Sequence, residues 1–365
     1  MNQRLVSLDV MRGIIMILLA GEAATLYEHL HETQFPKFII DQFFHHEWHG
    51  LRFWDLVQPA FMTMAGTALY LSFHKNESKG ITWSQNFPKV AWRCVKLLAC
   101  GVGLHCVYKG KLVWELWNVL SQLSVTTLIA YLIIKKSFTF QFLVSLGLLL
   151  ITFLAYNFIT NAEFNEPYVI GKNLGSMTDM MLMGKINNGG WVAINCIPTA
   201  AHTIWGAMLG KWLVQDSKED EKSKPDMLKV ILIAGAVLLV VGYSFDYLLH
   251  IPIIKRICTV SFVIVSAGWV ILFFALAYFL VEIKGWKEYA WIVTVIGMNS
   301  IFIYLFFETV GGQWVNKTVE IFTSGALHPL GLSGNIIGVI NALVVLFLEW
   351  YLCWSLYKHK IFFKL

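Results

Sequence analysis

The chain has 365 residues, 57% of them hydrophobic and only 14% charged, with 26 Phe, 15 Trp and a mean hydropathy of +0.62. Soluble domains carry roughly 25% charged residues, so this balance excludes a soluble enzyme and predicts an all-α, polytopic integral membrane protein forming one domain over residues 1–365. The net charge of +5 gives no nucleic-acid signal, because the basic residues stand singly or in short groups between apolar spans.

A membrane-crossing helix needs about 20 predominantly apolar residues. On that ruler about ten spans are expected, over 13–30, 53–74, 89–108, 115–134, 138–158, 191–213, 227–248, 257–282, 289–310 and 335–357. The first lacks a small-residue cleavage site and is followed by further spans, so it is expected to be a retained helix and not a signal peptide. With the N-terminus in the cytoplasm, 19 of the 28 Lys and Arg fall on the inner side, among them Arg4, Lys218, Lys222 and Lys364. That bias is the one expected of cytoplasmic connections, and it places both termini inside.

Three outer connections are long: 31–52, 159–190 and 311–334. The second holds the Asn187-Asn188-Gly189-Gly190 run and reads as turns. The inner connection from Gln215 to Asp226 reads as a solvated, mixed-charge linker. All six cysteines (Cys94, Cys100, Cys106, Cys196, Cys258, Cys353) fall in predicted spans with no CxxC pair, and buried thiols are expected rather than disulfides. No internal repeat relates the two halves, which weighs against a repeat-built transporter.

Titratable residues concentrate in FFHHEWHGLRFWDLVQPAFMTMAG, Phe43 to Gly66, where His45, His46, Glu47 and His49 precede Trp54-Asp55 and an apolar span. Ionisable groups beside a bilayer are costly and are usually kept for a task. His45 can serve as a general base, carry an acyl group itself, or only sit at the interface. The order His46-Glu47-Trp48-His49 is HExH, not the HExxH that puts two ligands on one helix face, so no metal is expected. Asp55 can either orient an imidazole or offset a helix dipole.

Asp9 and Arg12 are spaced to pair on one helix face, as a topological anchor or with Arg12 gripping phosphates. Glu22, placed a third to halfway along the first span, is expected to face an interior cavity. Asn299 beside Ser300 can polarise a carbonyl or glue helices together. His105, His202, Asp246, Glu308 and Glu349, all in or near spans, are expected to be satisfied structural polar groups.

RLVSLDVMRG (Arg4 to Gly13) resembles the opening of the heparan-alpha-glucosaminide N-acetyltransferase family of membrane acyltransferases. The likeness continues through Trp48, Gly50, Leu51, Asp55, Leu56, Val57, Pro59 and Gly66. It returns at Ile197-Pro198 with Gly206 and Gly210, then at Gly297-Met298-Asn299-Ser300-Ile301 with Tyr304 and Glu308, and ends at Lys360-Ile361-Phe362. The chain departs from the family pattern at Ala23, at Phe307 and after Gln122.

The resemblance implies transfer of an acetyl group from cytoplasmic acetyl-CoA, as co-substrate, to an amino sugar of the glucosamine type across the membrane. It puts the family's catalytic histidine on His45, with Asp55 and Asn299 as its partners in catalysis. Asp9 and Arg12 fall on the opening motif, and Arg12 would meet CoA phosphates with Arg93, Lys96 and Lys211. Glu22, Trp48, His49 and Glu308 are the expected acceptor contacts. It also implies a homodimer in a bacterial inner membrane. Two rival readings stand beside it: an O-acyltransferase of envelope polysaccharide, and a non-enzymatic amino-sugar transporter. A proton-coupled channel using Glu22 and the histidines is a third, weaker reading.

Overall fold

The computed structural model describes residues 5–216 and 224–363. Arg4, Lys218, Lys222, Lys364 and most of the inner linker lie outside the described residues. In chain order the helices are α1 (Val6–Ala23), α2 (Leu26–His31), α3 (Lys37–Ile40), α4 (Val57–Glu77), α5 (Trp83–Lys109), α6 (Val119–Ile133), α7 (Phe138–Phe158) and α8 (Leu174–Met183). There follow α9 (Cys196–Asp216), α10 (Lys224–Leu249), α11 (Val260–Tyr278), α12 (Lys287–Met298), α13 (Ser300–Phe306), α14 (Asn316–Leu327) and α15 (Gly334–Lys358). Among the described residues there is no β-strand, only one antiparallel bridge between His49 and Ile254.

Five helices are long and apolar enough to cross a membrane: α5, α7, α10, α11 with its π-helical extension to Ile283, and α15. A sixth is counted if α12 and the chain from Ser300 to Leu330, which meet at a 60° bend, make one broken span. The protein is thus an all-helical, multi-pass membrane protein. The expected spans over 53–74, 115–134 and 191–213 are helices here too, but α4 is diluted by Gln58, Thr63, His74, Lys75, Asn76 and Glu77. Helix α6 has only 15 residues, and α9 carries Lys211 and ends on Asp216.

The first span is shifted. Helix α1 begins at Val6 and ends at Ala23, because Asp9 and Arg12 join the helix as an i,i+3 ion pair and Thr25 enters the left-handed region (φ 59°). Glu22 therefore lies in the last turn of α1 and not near its middle. Two expected loops are partly helical: Asn173 caps α8 by accepting from the Ser176 amide, and the 311–334 connection holds the end of a π-helical turn (Phe307–Val315) and α14.

The chain divides into two compact units. One comprises Met1–His45, Arg52–Trp54 and Leu276–Leu365; the other comprises His46–Leu51 and Asp55–Ala275. In the second unit α4 crosses α9 at van der Waals closeness. Gly66 lies against the carbonyl of Thr203 and Gly206 against that of Thr63, so either Cβ would collide with backbone. Thr67 Oγ1 donates to Gly206 O at 3.0 Å across the same crossing. Small residues that let backbones approach are how helices associate without a hydrophobic driving force in lipid. In the first unit α1 and α12 do the same, with Gly13 against Val293 and Gly297 against Asp9.

Candidate functional site

The stretch around His45 is short, irregular and heavily tied down. Within the first unit, Glu22 Oε1 accepts the indole N–H of Trp54 at 3.1 Å. Trp54 is 2% exposed and stands edge-on to Tyr27 at 5.2 Å, and Phe43 stacks on Tyr27 at 4.7 Å. Tyr27 donates to the Leu18 carbonyl, and Phe53 N–H donates to Gln42 Oε1 at 3.2 Å. This aromatic block at the Ala23 end of α1 carries the half-buried His45, whose carbonyl accepts from Arg52 Nη1 at 3.3 Å.

The second unit holds the residues that follow. Asp55 Oδ2 accepts the His46 amide at 3.2 Å, and Asp55 Oδ1 faces Lys255 Nζ at 3.7 Å; both side chains are almost wholly buried. The His46 ring occupies the space a Cβ on Gly50 would need, and Gly50 takes φ +141°, a region that favours glycine. Gly50 N–H donates to Ile253 O at 2.9 Å. His49, expected as a loop histidine or sugar contact, donates through Nε2 to Asp246 Oδ1 at 2.8 Å. Trp48 donates to Tyr168 O at 2.7 Å and packs on the cluster of Tyr156, Phe164 and Ile254. His49 and Trp48 thus anchor the segment that follows His45.

Asn299 sits elsewhere. It is fully buried at the bend between α12 and α13, its Nδ2 donates to Ile361 O at 3.0 Å, and its Oδ1 accepts from Phe363 N–H at 3.0 Å. The neighbouring Gly297 packs on Asp9 and Gly13, so Asn299 lies near the Asp9 end of α1, whereas the Trp54 block holds the Glu22 end. Thirteen residues of helix separate those ends by about 20 Å. Asn299 is therefore distant from His45, and its side chain is engaged by the Ile361–Phe363 backbone. The reason is its place at a helix break, where two backbone groups of the C-terminal segment need partners.

The four cations are divided between the two units. Arg12 Nη1 lies 3.5 Å from Asp9 Oδ1 in the first unit. Arg93, Lys96 and Lys211 belong to the second, where Lys211 Nζ donates to the Lys136 carbonyl at 2.9 Å just beyond the end of α6. Glu308 is half-buried in the π-helical turn of the first unit.

A polar network lies in the second unit, of which the sequence singled out only His105, as a satisfied structural group. Glu115, 4% exposed, accepts from His105 Nδ1 and from Lys185 Nζ, each at 2.7 Å. Burial works to raise the Glu115 carboxyl, but these two donors outweigh it and hold it below its ordinary range. Asp179, fully buried in α8, accepts from Trp117 Nε1 at 2.6 Å and from Ala193 N–H at 2.9 Å. Burial pushes its carboxyl up to about 6 against the pull of those hydrogen bonds. Arg52 and Lys255 are two further cations that hold the His45 segment. Arg52 lies inside the family-like stretch, which was a usable signal; Lys255 lies 200 positions from Asp55 and gave none.

Among the described residues no group of three His, Cys, Asp or Glu is placed to hold a metal ion. The sequence matches the family model described as heparan-alpha-glucosaminide N-acetyltransferase, catalytic, over residues 4–252, which includes α1, the His45 segment and α4 to α10. A comparison with curated proteins gives no match. With two thirds of its length covered by that model, the chain belongs to the heparan-alpha-glucosaminide N-acetyltransferase family of membrane acetyltransferases.

Proposed function

We propose that the protein moves an acetyl group from cytoplasmic acetyl-CoA to the amine of a glucosamine-type sugar on the outer side of a bacterial inner membrane. The observation that carries this reading is the way His45 is held, inside the matched region. Its carbonyl is gripped by Arg52 and the next amide by the buried Asp55. A histidine that only drifted at the interface would need no such fixing.

In this reading about ten helices span the bilayer as one domain, with both termini cytoplasmic. CoA, with its phosphates, stays inside and its slim arm threads the bundle, since its charges cannot cross about 30 Å of hydrocarbon. The neutral amine nitrogen attacks the thioester carbon, forming the N–C bond as the C–S bond breaks, and the CoA thiolate leaves with the proton that the new amide nitrogen sheds. His45 takes the proton from the amine, because an ammonium has no lone pair with which to attack. Asp55 and Arg52 are positioning residues, and Glu22 with Trp54 shapes the acceptor end. The thioester is already activated, so no ATP or metal is required.

The test incubates purified protein with acetyl-CoA and a panel of hexosamines, following free thiol and acetylated sugar. Hydroxylamine-resistant product means an amide and supports the proposal. A hydroxylamine-labile ester would favour O-acylation, and sugar uptake into vesicles without CoA would favour transport.

A further inference from the structure

Beyond residue 252, where the family match ends, the chain turns tightly from Ile254 to Thr259. Thr259 N–H donates to Ile254 O at 3.2 Å and Cys258 N–H to Lys255 O at 3.0 Å. The turn runs beside the segment that follows His45, because Ile254 bridges to His49. Its two cations stand against one ring: Lys255 Nζ lies 5.3 Å and Arg256 Cζ 5.9 Å from the centre of Trp191. All these residues but His45 belong to the second unit.

The two charges are answered differently. Lys255 is buried and faces Asp55. Arg256 meets no carboxylate among the described residues; its Nη1 donates to the Gly189 carbonyl at 2.6 Å and its plane lies against Trp191. Its Nε is closed off without a partner, whereas Nη2 has none either and stays accessible. The side chain is nonetheless set in place. Asn195 Nδ2 donates to the Arg256 carbonyl at 2.6 Å, and Gly189 is itself held by Asn187 Oδ1, which accepts its N–H at 2.8 Å. Pinning Gly189 uses one N–H of the guanidinium and leaves others to give. A half-buried cation without a counter-charge is costly.

A guanidinium fixed in advance suits an oxyanion, since little ordering is left to pay for on binding. A phosphate ester, which carries up to two charges near neutral pH, gains most where two cations share one ring. We propose that Arg256, set on Trp191, determines acceptor specificity by gripping a phosphate ester on the amino sugar, so that the acceptor is a phosphorylated hexosamine. The identity of the sugar rests on the acetyl-transfer reading; the phosphate contact does not.

The test is equilibrium dialysis of the full chain in dodecyl maltoside, a detergent without phosphate, against glucosamine, glucosamine 1-phosphate and glucosamine 6-phosphate, with no acetyl-CoA present. At least one ester should bind about tenfold or more tightly than glucosamine, and R256M should bring the two to within about twofold. Equal affinities in the unaltered protein would overturn the proposal, as would a preference that survives in R256M. Equally tight binding of muramic acid, whose anion is a carboxylate, or of glycerophosphoglycerol, an anionic lipid headgroup, would also overturn it. Where R256M fails to fold, competition in the unaltered protein decides: inorganic phosphate should release the bound sugar phosphate and sodium chloride of equal ionic strength should not, and release by both refutes the contact. Phosphate-selective binding without any acetylated product on adding acetyl-CoA would strike the acetyl-transfer reading and leave the contact standing. Acetylation of glucosamine and both esters with equal kcat/KM would do the reverse.

Discussion

Asp55→Asn tests whether the residue behind His46 acts as half of a buried ion pair. Asp55 and Lys255 are 1% and 6% exposed, with Nζ 3.7 Å from Oδ1. At an effective dielectric of about 20, unit charges at that separation attract by roughly 4–5 kcal/mol before desolvation is charged against them. Asparagine keeps an oxygen for the His46 amide, so the substitution mainly strands the Lys255 ammonium. Removing one side of a buried pair costs about 3–5 kcal/mol. Lys255 also lies 5.3 Å above the Trp191 ring, and that cation–π contact survives, so a loss of about 2–4 kcal/mol is expected. The assay is a double-mutant cycle with Lys255→Met, read by denaturant unfolding in detergent micelles. Removing both charges should return about half of the loss or more. Single effects that add to within about 0.5 kcal/mol would refute the pairing.

Asn299→Ala should destabilise the protein by about 1–3 kcal/mol, because Ile361 O and Phe363 N–H lose their partner. Its kcat should stay within about fivefold of the parent, and a fall of roughly 100- to 1,000-fold would restore an oxyanion role. Asp179 has a folded-state pKa raised to about 6, above its unfolded value. The folded state therefore binds the proton more tightly, and this group's contribution grows as pH falls through about 6 and is lost as pH rises. The unfolding temperature of the parent minus that of Asp179→Asn should accordingly increase between about pH 7 and pH 4. A difference independent of pH would contradict the assignment.

Hydropathy alone placed α7 and α15 to within a residue at each end, because long apolar runs have few alternatives to a helix that can cross a bilayer, but of the ten spans expected only five or six helices are long and apolar enough. It misplaced Glu22 because a ruler that starts at the first apolar residue cannot know that Asp9 and Arg12 pair within the same helix. The His45 segment was legible as a cluster of titratable groups and as a family motif. What holds it was not: Trp54 to Glu22, His49 to Asp246 and Asp55 to Lys255 join residues 32, 197 and 200 positions apart. Asn299 was legible as important and not as a tether, since its partners lie at the chain end. Glu349 looked like a satisfied structural acid, but its buried Oε2 has no hydrogen-bond partner among the described residues.

The central claim is that the imidazole of His45 performs the acetyl transfer. His45→Ala, purified in parallel with the parent, should bind CoA with nearly unchanged affinity while acetylated hexosamine falls below detection. Unchanged turnover in that variant would contradict the account, whatever the fate of the residues that hold the segment in place.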